Sequence, residues 1–233
     1  MKRRVKLAVD IAMYLIFLYL MSYRAGRGLW LHGVLGCTLF ALFILHHLLN
    51  LRWYRGLKKG KYGFLRMQFV LIDFVFLADM LVMAVSSVMM SGDVFRFSPL
   101  ITTQTGRSLH ILSTAWGFVI MILHLGLHLY APFEGLRKKA AGTVFVYSYY
   151  LIFVLVLVFG LWCFVKSSLW QGMLLIPKSA AFPGLLLFYL QYLMITLPGC
   201  QMMYLLRKVS GRRRSKDKKK RTEGDVDAGP APK

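Results

Sequence analysis

Long apolar runs recur along the whole chain and are separated by short polar segments rich in Lys and Arg. Each run has about 20 predominantly apolar residues, the length that an α-helix needs to cross a hydrocarbon core roughly 30 Å thick. We therefore expect an all-α fold, a polytopic membrane helix bundle. Its six transmembrane helices are predicted over Leu7–Tyr23, Leu29–Asn50, Phe64–Ser91, Ser108–Pro132, Thr143–Phe164 and Phe182–Leu206.

The first apolar run is short and is preceded by four basic residues, as in a signal peptide. It also contains Asp10, and it lacks a clear small-residue cleavage site. Both features favour an uncleaved first span.

The distribution of Lys and Arg predicts the orientation of the bundle. Of the 30 Lys and Arg residues, 24 lie in the N-terminal segment, in the loops after the second and fourth spans, and in the C-terminal tail. The other three loops carry the remaining 6. Because cytoplasmic loops are the positive ones, both termini are predicted to be cytoplasmic.

Composition supports a membrane protein with a polar tail. The chain is 58% hydrophobic and 17% charged, and its mean hydropathy is +0.57. The net charge of +21 is concentrated beside and after the apolar runs, which favours anionic membrane lipid as the partner and argues against nucleic acid. We predict a membrane domain over residues 1–206 and a polybasic, disordered cytoplasmic tail over residues 207–233.

Histidines carry the most specific pattern in the sequence. His46 follows His32 by fourteen residues, and His124 follows His110 by fourteen residues. The two helices are separated by one span, so they run parallel and hold the pairs at matching depths. Fourteen residues rise about 21 Å and end about 40° short of four full turns, so both histidines of a helix face nearly the same side.

Two such helices facing one another would form two His–His pairs stacked across the bilayer. Each pair is suited to hold one haem iron through two axial imidazoles, and this His-x13-His arrangement resembles that of the cytochrome b proteins of respiratory complexes. The sequence thus predicts two haem b groups, with His32, His46, His110 and His124 as metal ligands. The three cysteines form no CxxCH motif, so the haems are expected to be non-covalent.

Two neighbouring histidines leave the inner ligands open. His47 adjoins His46, and His128 lies one turn beyond His124. The repeated spacing favours His46 and His124 as ligands, with His47 and His128 contacting a haem propionate, lining a quinone pocket or serving as interfacial polar residues.

Three further residues are predicted to contact the cofactor. Gly36 and Gly117 would let a macrocycle approach the backbone, although small residues also mediate helix packing. Arg107 lies one turn before His110 and would pair with a propionate or snorkel to the interface.

Three acids, Asp10, Asp73 and Asp79, fall at membrane depth, where ionisable residues are often functional. We consider two uses for them. One is the release of protons from quinol oxidation, and the other is structural pairing with Arg, Lys or Tyr.

Several segments also resemble a known family, the flavinylation-associated cytochromes. They cover about residues 5 to 130 and read KLAVDIAMYLIFLYLMSY, LHGVLGCTLFALFILHHLLNLRWYRGLKKGKY, SSVMMSGDVF and GRSLHILSTAWGFVIMILHLGLHLY. The resemblance implies a membrane b-type cytochrome that passes electrons toward flavin-bearing proteins outside the cytoplasm. The haem-associated positions that it implies are His32, His46 or His47, His110, and His124 or His128.

Taken together, these patterns predict a di-haem electron carrier in a bacterial cytoplasmic membrane. A quinol would be its donor and an extracytoplasmic flavoprotein its acceptor. No residue is predicted to be catalytic, because the chain would act as an electron-transfer protein or as the membrane subunit of an oxidoreductase. The alternatives are a membrane di-iron oxygenase of the desaturase kind, whose histidine boxes the inner histidines mimic, and a metal-free transporter or assembly protein.

Overall fold

The computed structural model describes residues 2–23, 28–90, 94–95, 97–98, 103–139, 143–177 and 183–227. Side chains after residue 211, and a few others within the helices, are not part of that description. Ser91 and Phe182, two of the predicted span boundaries, also lie outside the described residues.

Throughout the described ranges the regular structure is entirely α-helical, as the sequence predicts. The helices are α1 (Lys2–Met21), α2 (Leu29–Leu49), α3 (Leu51–Leu57), α4 (Phe64–Met90), α5 (Thr103–His128), α6 (Tyr130–Lys139), α7 (Thr143–Lys166), α8 (Leu169–Met173) and α9 (Leu185–Asp227).

Five helices, α2, α4, α5, α7 and α9, are long and apolar enough to cross a membrane. Helix α1 is 20 residues long, but its four basic residues and Asp10 keep it out of that group. Five of the six predicted segments therefore form helices that are long and apolar enough to span a membrane.

Apolar side chains on the outside of the bundle agree with a lipid environment. On α7, Leu151, Val158 and Val165 are each more than 60% exposed. An unbroken apolar surface of this kind would be unfavourable in water, whereas lipid covers it without cost.

The core lies where α5 and α9 cross, with α1, α4 and α7 packed around them. Phe118 of α5 and Cys200 and Tyr204 of α9 are almost completely buried there. Helix α2 packs chiefly on α1, while α5 packs on α4 and α9, so the backbones of α2 and α5 are not directly packed together. This arrangement leaves a gap that only side chains bridge.

Small residues set the closest helix contacts. A Cβ atom on Gly126 would come within 2.8 Å of the Cys200 Cα atom on α9. A Cβ atom on Gly160 of α7 would collide with Pro198 and with the Met194 carbonyl oxygen. Proline at 198 has no N–H for the Met194 carbonyl, and glycine at 160 is what allows α7 to approach that point.

Two short helices and one extension are not predicted from hydropathy. Helix α3 follows α2 after a break at Asn50, and α8 packs on α5 near Ala115. Helix α9 continues past Leu206 to Asp227, so part of the segment for which we predict disorder has helical backbone. The division into a membrane domain and a tail stays a prediction.

The contact of Gly160 with α9 gives a test of the packing. We expect Gly160→Ala to destabilise the protein by about 1–3 kcal/mol, because the new methyl group forces α7 away from Pro198. Thermal unfolding in detergent measures the effect. Gly135→Ala on α6 is the control, since a Cβ atom there meets nothing within 4 Å. Equal melting temperatures for the two variants would contradict this account.

Candidate functional site

The first pair of predicted ligands meets across the gap between α2 and α5. The ring centroids of His32 and His110 are 6.1 Å apart, and the rings are inclined at 75°. We call these two residues the outer tier. Both lie near the N-terminal ends of their helices, so α2 and α5 run in the same direction, as the repeated spacing predicts.

The other four histidines form a second group, the inner tier, near the C-terminal ends of the same helices. His46 and His47 are 5.5 Å apart, and His124 and His128 are 4.8 Å apart, between ring centroids. Across the gap, His47 interacts electrostatically with His124, and His128 interacts with His46. The structure therefore brings together all six histidines in two groups.

Helix α4 supplies an oxygen partner to each predicted ligand on α5. The Nδ1 atom of His124 lies 2.7 Å from an Asp73 carboxylate oxygen, and that of His110 lies 3.2 Å from the Ser87 hydroxyl. Asp73 and Ser87 are themselves fourteen residues apart. The antiparallel packing of α4 on α5 therefore repeats the spacing of the two histidines.

The Ser87 contact favours one tautomer of His110. The Ser87 hydroxyl donates its hydrogen to the Met83 carbonyl oxygen at 2.7 Å. It can then only accept from the imidazole, so Nδ1 of His110 carries the proton and Nε2 is left with a free lone pair. A lone pair on Nε2 is what a metal ligand requires.

Helix α1 supports α2 in the same manner. The Nδ1 atom of His46 lies 2.7 Å from an Asp10 carboxylate oxygen. Lys6, four residues before Asp10, donates to the side-chain oxygen of Asn50 at 2.8 Å, and Asn50 follows His46 by four residues. At the other end of the helix pair, the ring of Tyr23 lies 4.6 Å from that of His32. Helix α1 thus accompanies α2 from one tier to the other.

His47 has a different environment from His46. Its Nδ1 atom lies 2.6 Å from the hydroxyl of Tyr54, on α3. Burial and the nearby Asp73 carboxylate raise the pKa of Tyr54, so that group is a neutral hydroxyl at physiological pH. The Nε2 atom of His47 is buried and has no hydrogen-bond partner among the described residues. An orphaned imidazole nitrogen is available to a cofactor.

The other three residues predicted to contact the cofactor, Gly36, Gly117 and Arg107, lie in different surroundings. A Cβ atom on Gly36 of α2 would meet nothing within 4 Å, so this face of the gap is open. Gly117, halfway between His110 and His124, instead faces the Asp79 carboxylate of α4. Arg107 is exposed at the outer end of α5. In this structure Gly117 accommodates α4, and its predicted contact with a cofactor stays a prediction.

Asp79 belongs to neither tier. One of its carboxylate oxygens is buried without a hydrogen-bond partner among the described side chains, and it lies against Gly117. Asp10 and Asp73 each pair with a histidine, whereas one of their two predicted uses was pairing with Arg, Lys or Tyr. The repeat between Asp73 and Ser87 is the sequence signal that could have identified the partners of α5.

The residues present are compatible with a metal held by two axial imidazoles. A metal–nitrogen bond is about 2.0–2.1 Å long. The rings of the outer tier, 6.1 Å apart, are near enough for His32 and His110 to hold one metal together. No group of three or more His, Cys, Asp or Glu side chains in the described ranges is arranged to hold a bare metal ion. A haem iron needs only two such ligands.

Comparison of the chain with protein-family models, with curated proteins and with solved structures finds no match. The resemblance to the flavinylation-associated cytochromes accordingly stays a prediction.

The two carboxylate–histidine pairs differ in exposure, which predicts different contributions to stability. The Asp73 side chain is 15% exposed and that of Asp10 is 47% exposed. Asp73→Ala should destabilise the protein by about 1–3 kcal/mol, since it leaves the His124 N–H unpaired in a shielded site. Asp10→Ala should cost less, because the Asp10 side chain lies in a more exposed site. Thermal unfolding of both variants in one detergent makes the comparison, and the opposite ranking would contradict it.

Proposed function

We propose that the protein is a membrane di-haem b-type cytochrome that carries electrons across the bilayer. The observation that carries this proposal is the meeting of His32 and His110 across a gap between two parallel helices, with a second histidine group about 21 Å further along. Histidines that only hydrogen-bond neighbouring helices would not have to occur at two levels with the same fourteen-residue spacing on both helices. The oxygen partners of His46, His110 and His124 strengthen the argument.

In this proposal each residue around the tiers has a defined task. His32 and His110 would hold one haem, and the inner tier would hold the other through one imidazole from each helix. Asp73 and Ser87 orient the α5 imidazoles and make them better electron donors to a metal, as such outer partners do in metal sites. When bound, haem supplies a one-electron carrier whose iron changes valence while its ligands remain in place.

The same proposal includes six spans with both termini in the cytoplasm. Support comes from α1, whose contacts reach Asn50 at one end of α2 and His32 at the other. A helix of 20 residues is about 30 Å long, enough for the hydrocarbon core. Its basic residues then lie at the cytoplasmic surface, where the positive-inside rule expects them.

The partners in the proposal come from the resemblance. A quinol in the membrane would donate electrons, and a flavoprotein outside the cytoplasm would accept them. The chain would then be an electron-transfer protein or a membrane subunit of a larger oxidoreductase in a bacterial cytoplasmic membrane.

Haem content tests the central claim. The purified protein should show a Soret band that shifts on reduction with dithionite, and a pyridine haemochrome assay should give two haems per chain. His32→Ala and His110→Ala should each remove one haem, and the double variant should remove no more than either single variant, because both residues hold the same group. Cys37→Ala, exposed on α2, is the matched control and should retain both haems.

The same assay identifies the inner ligands. Within each adjacent pair, His46 or His47 and His124 or His128, one alanine variant should lose the inner haem and the other should keep it. Iron without a Soret band would support the di-iron alternative. A protein with neither iron nor haem would support a metal-free transporter or assembly factor. Either result would overturn the proposal.

Charge around the tiers predicts unequal reduction potentials. The inner tier has two carboxylate partners, whereas the described partners of the outer tier are uncharged. Asp73→Asn removes a negative charge that favours oxidised iron, so it should raise the reduction potential of the inner haem. For a one-electron carrier, a loss of about 1.4 kcal/mol of this stabilisation raises the potential by roughly 60 mV. Redox titration followed by absorbance measures both potentials. Ser87→Ala is the counterpart at the outer tier, and an equal shift of both potentials in Asp73→Asn would contradict the assignment.

A further inference from the structure

A basic cleft opens beside the inner tier, at the end of the bundle where the positive loop follows α2. It lies between α3, the start of α4 and α9, and its volume is about 550 Å³. Four cationic side chains line it, and no histidine does. They are Arg52, Lys59, Arg66 and Arg207.

Two of these cations are held in fixed positions. Arg66 donates to the carbonyl oxygens of Gly56 and Lys59, and its guanidinium lies 4.1 Å from the ring centre of Tyr62. Arg207 donates to the Leu127 carbonyl oxygen at 3.1 Å and lies over the ring of Phe69. Neither bonds to a carboxylate in these contacts, so their positive charge is not neutralised.

The other two cations, Arg52 and Lys59, are exposed at the mouth of the cleft. Among the described residues, no Asp or Glu lines the cleft. Four cations around one cavity repel one another unless an anion lies between them. The composition of the cleft therefore indicates an anionic occupant.

One wall of the cleft is apolar. It consists of Trp53, Leu57, Leu65, Phe69 and Val70. Trp53 also packs on Phe74 of α4, with ring centroids 6.0 Å apart, which fixes α3 against the membrane-spanning helix. A soluble anion has no use for such a wall, whereas a lipid presents a charged head group and an apolar chain together.

We propose that this cleft binds an anionic phospholipid, with its phosphate among the four cations and an acyl chain along the apolar wall. Basic pockets between membrane helices at the cytoplasmic side are suited to such head groups. The proposal does not depend on haem or on electron transfer, because no histidine takes part. It extends the general attraction of positive loops for lipid to one site of defined shape.

Native mass spectrometry of the full-length protein in detergent tests the site. We titrate phosphatidylglycerol and, separately, phosphatidylcholine, and compare Arg52→Gln/Lys59→Gln with Arg55→Gln/Lys58→Gln. The control pair removes the same charge from the same short segment, but its residues do not line the cleft. The cleft variant should bind the first phosphatidylglycerol about 10- to 30-fold more weakly than the wild type. The control variant should bind it within about twofold of the wild type.

Three results would overturn the proposal. One is an equal loss in both double variants, which indicates diffuse charge attraction. Another is equal binding of phosphatidylcholine by the wild type. The third is release of the bound lipid by millimolar inorganic phosphate, which indicates a site for soluble anions. If the cleft variant fails to fold, the two lipid titrations and the phosphate competition on the wild-type protein still decide the question.

Discussion

The arrangement of the histidines depends on one constraint, that an imidazole N–H within a membrane needs an oxygen acceptor. Water is not available there to replace a missing partner, so each unpaired polar group is costly. For His46, His110 and His124 the chain meets this constraint through two antiparallel helix pairs, in which α1 supplies the partner on α2 and α4 supplies those on α5. Once Nδ1 is held from behind, the ring is turned so that its other nitrogen faces the gap.

Because α1 and α4 hold these histidines, α2 and α5 do not have to pack against each other. Each of the two helices is packed on a partner that orients its histidines, so neither needs the other for support. The gap then remains open at Gly36, where a side chain would meet nothing. A bundle in which α2 and α5 packed directly would have closed this space, and the two tiers could form only hydrogen bonds.

Much of this architecture can be read from the sequence because it follows from periodicity. Run length fixes the helices, and the fourteen-residue spacing fixes which face of α2 and α5 carries His32 and His110. The partners on α1 and α4 could not be derived in that way. Their positions depend on the register between helices, which is set by close contacts such as Gly117 on Asp79. Hydropathy does not encode such contacts, and it also misses α3, whose seven residues are too few to form a span.

The choice between His46 and His47 is a further limit of periodicity. Adjacent residues on a helix differ by about 100°, so either can turn toward a broad gap. The structure gives a separate reason for each histidine to be the ligand. A carboxylate orients the His46 ring, and His47 has a buried nitrogen without a hydrogen-bond partner among the described residues. Both observations match a requirement of a metal ligand, which needs an oriented ring and an available nitrogen.

The charges around the two tiers suggest a direction for electron flow under the proposed function. A carboxylate near a haem favours the oxidised iron, and this attraction is stronger where water is partly excluded. The many cations of the neighbouring loops oppose this effect, but they face water, where salt screens them within about 8 Å. Asp10 and Asp73, at hydrogen-bond distance from inner-tier imidazoles, therefore dominate. They favour the oxidised state at the inner tier, so electrons would move downhill from the inner tier to the outer one, away from the positive surface.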